Sequence, residues 1–336
     1  MAVGILGITY HLPERVESIE DLGRENPDWR IGKLLQKSGI RHRHIAAPDE
    51  TASDLGHAAA RKLLDRALVP PDEIDFIVYC TQSPDHYLPA SACVLQERLG
   101  LGQHVGAFDF NQGCSGYVFG TALSKSLIDA GMARHVLLIN ADTYTKYIHP
   151  RDRTVRPLFG DAATATLLGP RDDGGFEQFV FGTDGAGAGN LIVPAGGLRL
   201  PRSTETAKDK ATRNGCTRSA DNLFMDGPAI FTFAMNTVPP TIDALLAKSH
   251  LTEDDIDWWV YHQATEVMLA RLADRSNVPP AKMLRAFEDV GNTVSASIPI
   301  AIQRYVEAGR IVAGQRLLLV GFGVGYSWAA CTLRWG

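Results

Sequence analysis

The chain has 336 residues, 45% of them hydrophobic and 21% charged, with a formal net charge of −5. That balance supplies apolar material for a large core, spread over two domains or one duplicated unit. The mild acidity, with no lysine/arginine tract, excludes a general nucleic-acid binder. No run approaches the roughly 20 apolar residues of a membrane span, and the N-terminus lacks a basic segment followed by an apolar one, so a cytoplasmic protein without membrane contact is expected. The five cysteines form no C-x-x-C pair, and the ten histidines show no metal-ligand spacing, so neither a disulfide framework nor a metal site is expected.

In chain order, residues 3–10 read as a first strand stopped at Pro13. Asn26-Pro27-Asp28 reads as the cap of a helix over 29–37, and His42 and His44 fall in a charged turn. Thr51 opens a second helix that carries Leu63, Leu64 and Leu68 at helical spacing and ends at Pro70-Pro71. Continuous apolar runs at 74–81 and 105–110 read as buried parallel strands, separated by a helix over 89–99. A helical pattern over 117–130 follows, then strands at 135–141 and 162–168. Between 169 and 222 the composition shifts to glycine, arginine and threonine, with 182–189 nearly without pattern, which predicts a join.

The alternation then restarts. A helix is expected over 229–246, kinked or interrupted at Pro239-Pro240, then a strand at 256–261 and a helix at 265–274. A helix over 297–308 with Pro299 in its first turn precedes strands at 316–320 and 327–334. The division that results is 1–170 as one half, 171–222 as a connecting and loop region, and 223–336 as a second half. Repeated strand–helix alternation predicts α/β layers with helices on both faces of each sheet.

Chemistry concentrates at four places. In Gln112-Gly113-Cys114-Ser115-Gly116 a cysteine stands between a strand and a helix, where free backbone N–H groups and the helix dipole favour a thiolate. On this local context alone, the same cysteine reads equally as core filler. His262 ends an apolar strand, an amide side chain sits in Gly291-Asn292-Thr293, and Gly321-Phe322-Gly323-Val324-Gly325 brings backbone N–H groups within reach of a substrate. Singly, His262 and Asn292 read as a satisfied core residue and a turn former.

Taken together, Cys114, His262 in His262-Gln263-Ala264 and Asn292 resemble the Cys–His–Asn triad of the β-ketoacyl-acyl-carrier-protein synthase III family. The resemblance runs through the whole chain in family order. It includes Gly39-Ile40-Arg41-His42-Arg43, Pro89-Ala90-Ser91-Ala92-Cys93, Asp152-Arg153 and Phe159-Gly160-Asp161-Ala162-Ala163. It implies a thiolase fold, two similar five-stranded α/β halves stacked as αβαβα, and a homodimer. It implies an acyltransferase of the ketosynthase type with no tightly bound cofactor, using CoA or phosphopantetheine thioesters, with acyl-CoA or acyl carrier protein as partner. Cys114 would take the acyl group, with an oxyanion hole from the backbone of Cys114 and Val324. His262 and Asn292 would stabilise the enolate formed from a malonyl-type thioester.

The chain also departs from the family. Thr265 and Val267 replace an asparagine and an arginine on the helix that docks carrier protein, leaving Arg271 and Arg275 nearby, so CoA substrates or a specialised carrier stay open. Lys33 stands where a tryptophan stacks on adenine; Trp29 is the candidate substitute, and Arg153 aligns with the other adenine-contacting residue. Leu88 aligns with a residue of the acyl pocket, with Tyr87, Phe110, Tyr117 and Phe322 as further candidates. Cys80 and Cys331 read as strand residues, Cys93 as helical, and Cys216 as part of a mobile loop. These departures point to a specialised pathway rather than to initiation of fatty acid synthesis. The alternatives are an acyltransferase acting on a hydroxyl or amine without decarboxylation, a non-catalytic partner subunit, and a cysteine hydrolase.

Overall fold

The structure, a computed structural model, describes residues 2–212 and 215–336. The elements of the first half are β1 (Ala2–His11), β2 (Arg15–Ser18), α1 (Ile19–Glu25), α2 (Ile31–Ser38), β3 (His42–Ile45) and α3 (Ala52–Leu64). They continue with β4 (Ile74–Cys80), α4 (Ser91–Arg98), β5 (Gly106–Phe110), α5 (Gly116–Asp129), β6 (His135–Asp142) and β7 (Ala162–Arg171). The chain goes on through β8 (Gly175–Thr183), β9 (Leu191–Ile192), β10 (Lys210–Ala211), β11 (Thr217–Arg218) and β12 (Phe224–Met225). The second half then adds α6 (Gly227–Ser249), β13 (Trp258–Tyr261), α7 (Glu266–Arg275), α8 (Ser297–Glu307), β14 (Arg316–Gly323) and β15 (Ser327–Arg334).

Two sheets organise the molecule. The first has the order β1-β7-β6-β4-β5, and the second β13-β14-β15-β8. In each, a parallel pair at the centre, β4 with β6 and β13 with β14, is followed by two antiparallel partners. Where the first sheet ends in β5, the second has a single parallel bridge from Trp259 to Met283 and a 3.0 Å bond from the Leu284 N–H to the Trp259 carbonyl. The second half therefore holds four strands rather than the five expected, because the fifth position narrows to that bridge.

Layering follows from which faces are apolar. Between the sheets, Tyr117 and Val118 of α5 and Ile298, Ala301 and Ile302 of α8 pack against Val78 and Leu138 on one side and Val260 and Leu319 on the other. Outside, α3 and α4 cover the first sheet, and α6 and α7 cover the second. All eight residues of β6 are buried, which is why its centre, Val136-Leu137-Leu138-Ile139, is apolar on both faces rather than alternating. The result is αβαβα.

Several elements differ from the sequence expectation. The stretch 171–222 carries β8, which pairs with β15 and closes the second sheet, so it is only partly a connection. Flanking glycines hid this strand. A helix α1 precedes the expected one, started by a reciprocal Ser18–Asp21 capping box. Asn26 closes α1 by donating to the Leu22 carbonyl rather than opening α2, which begins at Ile31. His42 and His44 lie on β3, paired with β2, and not in a turn. Helix α3 opens at Thr51 as expected but stops at Leu64. Helix α6 runs unbroken through Pro239 and Pro240, held by buried Val238, Ile242 and Leu245 against the sheet. Cys216 is 1% exposed, packed and not on an open loop.

Candidate active site

Cys114 follows β5 and His262 follows β13, and strand β14 runs past both, with Phe322 against the His262 ring and Gly323 against Cys114. Cys114 lies two residues before α5 begins and is 6% exposed. Strand β14 passes directly against it. A Cβ at Gly323 would sit 2.9 Å from Cys114 Sγ, and one at Gly321 would sit 2.8 Å from the Cys114 carbonyl oxygen. Side chains there would displace the cysteine, which is the physical reason for glycine at both positions. Ser327 Oγ bonds to Gln112 Oε1 at 2.9 Å and to Ser115 Oγ at 2.6 Å, so the cysteine loop is tied across the halves to the turn after β14.

His262 follows β13 and is 2% exposed. Its Nδ1 is 2.7 Å from Ser297 Oγ, and its ring meets Phe322 edge-on at 5.8 Å. Ser297 Oγ also accepts from the Gln263 N–H at 3.3 Å, so one hydroxyl ties the imidazole to the backbone of the next residue and fixes the ring's orientation. Asn292 is held by backbone pairing: its N–H donates to Leu158 at 2.8 Å, and the Gly160 N–H donates to its carbonyl at 3.1 Å. Its side-chain Oδ1 accepts from the Val294 N–H at 3.0 Å, leaving the Nδ2 group as the outward donor. The Asn292 turn reaches the cysteine helix through Ser295, whose Cβ would be 3.3 Å from a Cβ on Gly116.

Electrostatics set the protonation states. Burial, then the charge of Asp142, pushes the Cys114 thiol up to about 12, against backbone hydrogen bonds at Val324 and Cys114 that pull it down. Desolvation thus works against the thiolate that the helix start favours. Burial lowers His262 to about 3, opposed by a backbone hydrogen bond at Val294, so the imidazole is neutral at pH 7.

Asp142, at the end of β6, was missed in the sequence. Its carboxylate accepts from the Gln82 N–H at 2.8 Å and from Ser295 Oγ at 2.9 Å, and burial raises it to about 7. A carboxylate closing a run of buried apolar residues was the available signal. The role of Ser297 was missed as well, for nothing marks a helix-start serine as a histidine partner.

The motif Gly39-Ile40-Arg41-His42-Arg43 acts at a distance. Arg43 is 2% exposed, pairs with Glu17, and donates to the carbonyls of Arg156 and Phe159. It braces the segment that pairs with Asn292. Asp161 accepts from the Ala46 and Thr145 N–H groups and is structural.

The remaining predicted substrate residues separate. Leu88 is 82% exposed and lines, with Val324, an open cleft of about 1200 Å³. Phe322 is 1% exposed and backs His262 rather than the cleft, while Tyr117 is core. Trp29 packs with Ile19 and Leu22 at 6% exposure, because the unforeseen helix α1 covers it; its ring is not free to stack on adenine. Arg153 is half-buried, and its Nη2 would lie 3.7 Å from a Cβ on Gly215. Among the described residues no group of three or more His, Cys, Asp or Glu is placed to hold a metal ion, and no helix is long and apolar enough to cross a membrane.

Two stacked, duplicated α/β halves with a cysteine at their junction define a thiolase-fold condensing enzyme. Family models match residues 108–185 (3-oxoacyl-[acyl-carrier-protein (ACP)] synthase III) and 246–335 (its C-terminal part). A β-ketoacyl-[acyl-carrier-protein] synthase III of Caldanaerobacter subterraneus subsp. tengcongensis is 34% identical, over 100% of this chain and 98% of its own. A crystal structure of a 3-oxoacyl-(acyl-carrier-protein) synthase III superposes with a TM-score of 0.96 at 46% identity, covering 100% of both chains. The priming β-ketosynthase of the R1128 polyketide pathway matches at TM-score 0.85 and 31% identity, over 99% of this chain and 96% of that one. The chain belongs to the β-ketoacyl-acyl-carrier-protein synthase III family and is a ketosynthase III-like condensing enzyme.

Proposed function

We propose that Cys114 accepts an acyl group from a CoA or carrier-protein thioester and passes it to the enolate of a malonyl-type thioester. In the first step the sulfur attacks the thioester carbonyl, the Cys114 C–S bond forms, and the donor thiol leaves carrying the proton. In the second, the bond to the malonyl carboxylate breaks and carbon dioxide leaves. The enolate carbon then attacks the acyl carbonyl and frees Cys114. The observation that carries this reading is the placement of Cys114 just ahead of α5 with the glycine-rich β14 against it: a Cβ at Gly323 would stand 2.9 Å from its Sγ, which brings the Cys114 and Val324 backbone beside the sulfur, where the oxyanion of the first step would form.

Neutral His262 and the Nδ2 group of Asn292 supply two uncharged donors for the enolate oxygen. Uncharged donors suit a step in which a carboxylate must leave without being trapped by a cation. Burial raises the Cys114 thiol, so deprotonation accompanies the attack on the thioester, and the same burial protects the acyl-enzyme from hydrolysis. The donor helix is weakly basic: Val267 is 40% exposed, Arg271 faces Asp274, and Arg285 is paired with Glu266. That pattern supports CoA, or a carrier with its own contacts, as donor. Homodimerisation is supported by the edge strand β5, half-buried along its length, beside the exposed Tyr87 and Leu88.

The test is incubation with a panel of acyl-CoAs followed by mass analysis of the Cys114 peptide, then addition of malonyl thioester with detection of carbon dioxide. One acyl group on Cys114, none in Cys114→Ala, and gas release on malonyl addition are expected. Acylation of Cys114→Ala to the same extent would overturn the reading, and transfer without carbon dioxide would make the enzyme an acyltransferase.

A further inference from the structure

The cleft beside Cys114 has two unlike walls. One is apolar, formed by Leu191, Val193 and Leu223. The other is polar and hydrogen-bonded: Gln82 Oε1 accepts from the Tyr144 hydroxyl, Gln82 Nε2 donates to Asn111 Oδ1 at 2.7 Å, and the Gln82 carbonyl accepts from the Tyr147 hydroxyl at 3.1 Å. The polar wall begins next to the nucleophile, since Gln82 Oε1 lies 2.6 Å from where a Cβ on Gly113 would stand. Tyr144 is 4% exposed, Gln82 is half-buried and Asn111 is exposed, so this polar wall runs from the interior of the cleft at Tyr144 to its mouth at Asn111. Within the network Asn111 Nδ2 and one hydrogen of Gln82 Nε2 are left to donate, and the Tyr144 oxygen is left to accept.

His262, Asn292, Trp29 and Arg153 do not line this space. It reaches the cysteine loop through Asn111 and Val324, which offers it to the acyl group. A plain alkyl chain would strip water from the Gln82–Asn111–Tyr144 side without replacing its hydrogen bonds, whereas a site built to bond an oxygen rejects the analogue lacking it.

We infer that the acyl group carried by Cys114 is oxygenated near its thioester, bearing a hydroxyl or oxo group that bonds to the Gln82–Asn111–Tyr144 wall while its hydrocarbon side faces Leu191 and Leu223. This rests on the proposed acylation of Cys114. The experiment measures the rate of Cys114 acylation by 3-hydroxybutyryl-CoA and by butyryl-CoA, in the unaltered protein and in Tyr144→Phe and Asn111→Leu. The hydroxyacyl thioester should react ~10-fold faster, and each variant should shrink that ratio toward parity by slowing the hydroxyacyl reaction. Butyryl-CoA reacting as fast as its hydroxy analogue in the unaltered protein would overturn the inference and leave the role of Cys114 standing. An unchanged ratio in the Asn111→Leu variant, the more exposed of the two positions, together with Tyr144→Phe would equally overturn it. Absence of acylation by either thioester would remove the reading of Cys114, and the inference with it.

Discussion

The two halves repeat one sheet plan and divide the chemistry unequally. In the first, the chain leaving β5 turns into α5 and presents Cys114; in the second, the corresponding fifth strand shrinks to one bridge at Met283, and the chain goes on through the Asn292 turn into α8. In the proposed mechanism the first half offers the nucleophile at a helix start. The second offers the donors, His262 after β13 and Asn292 in the turn, and the glycine strand β14 that packs against Cys114. Duplication accounts for the scaffold, and the loss of one strand makes room for a turn that carries function. Neither half forms a site alone, since Gly323 and Ser327 of the second complete the surroundings of the first.

This division makes separable defects. Asn292→Ala removes an enolate donor but nothing that touches Cys114, so condensation should fall ~10²- to 10³-fold while the rate of Cys114 acylation stays within about twofold. Single-turnover acylation measured beside product formation decides it, and equal loss of both would count against the division. Gly323→Ala inverts the pattern. Its Cβ would lie 2.9 Å from Cys114 Sγ, so acylation itself should drop ~100-fold from misplacement of the nucleophile, with the fold retained by circular dichroism. A variant acylated at the normal rate would show that the approach of β14 is not what positions the sulfur.

Legibility in the sequence followed the same line. The parallel strands were readable because burial on both faces writes a continuous apolar run, as in β4 and β6. The candidate residues Cys114, His262 and Asn292 stood out because each sits at the end of such a run or in a glycine turn. What escaped depended on partners distant in sequence: β8 is a strand only because β15 lies beside it, and Ser297 matters only because His262 points at it. Trp29 was misjudged for the same reason, since its accessibility is decided by α1 and the Ile19–Leu22 face. The surroundings of Cys114 were only half legible. A helix start argues for a thiolate, but neither the burial nor Asp142, 28 residues further along the chain, is visible locally.

Asp142 gives the smallest test and bears on both halves at once, for it holds Ser295 of the Asn292 turn and acts on Cys114 through its charge. Its carboxyl is raised from 3.8 to about 7 by burial. Between those values the folded protein keeps a proton that the unfolded chain has released, so the stability difference falls as pH rises through this window and is fully lost above about 7. Asp142→Asn keeps an acceptor for the Gln82 N–H and a partner for Ser295 but cannot ionise. Its melting temperature should therefore decline less between pH 4 and 7 than that of the unaltered protein, a difference on the order of a few kcal/mol in stability. Removing the negative charge should also bring the Cys114 thiol down, so that alkylation by iodoacetamide rises at a lower pH, a shift of less than ~1 unit. Parallel melting curves and an unmoved alkylation profile would mean that Asp142 is only a hydrogen-bonded strut between the halves, with no hold on the charge of the nucleophile.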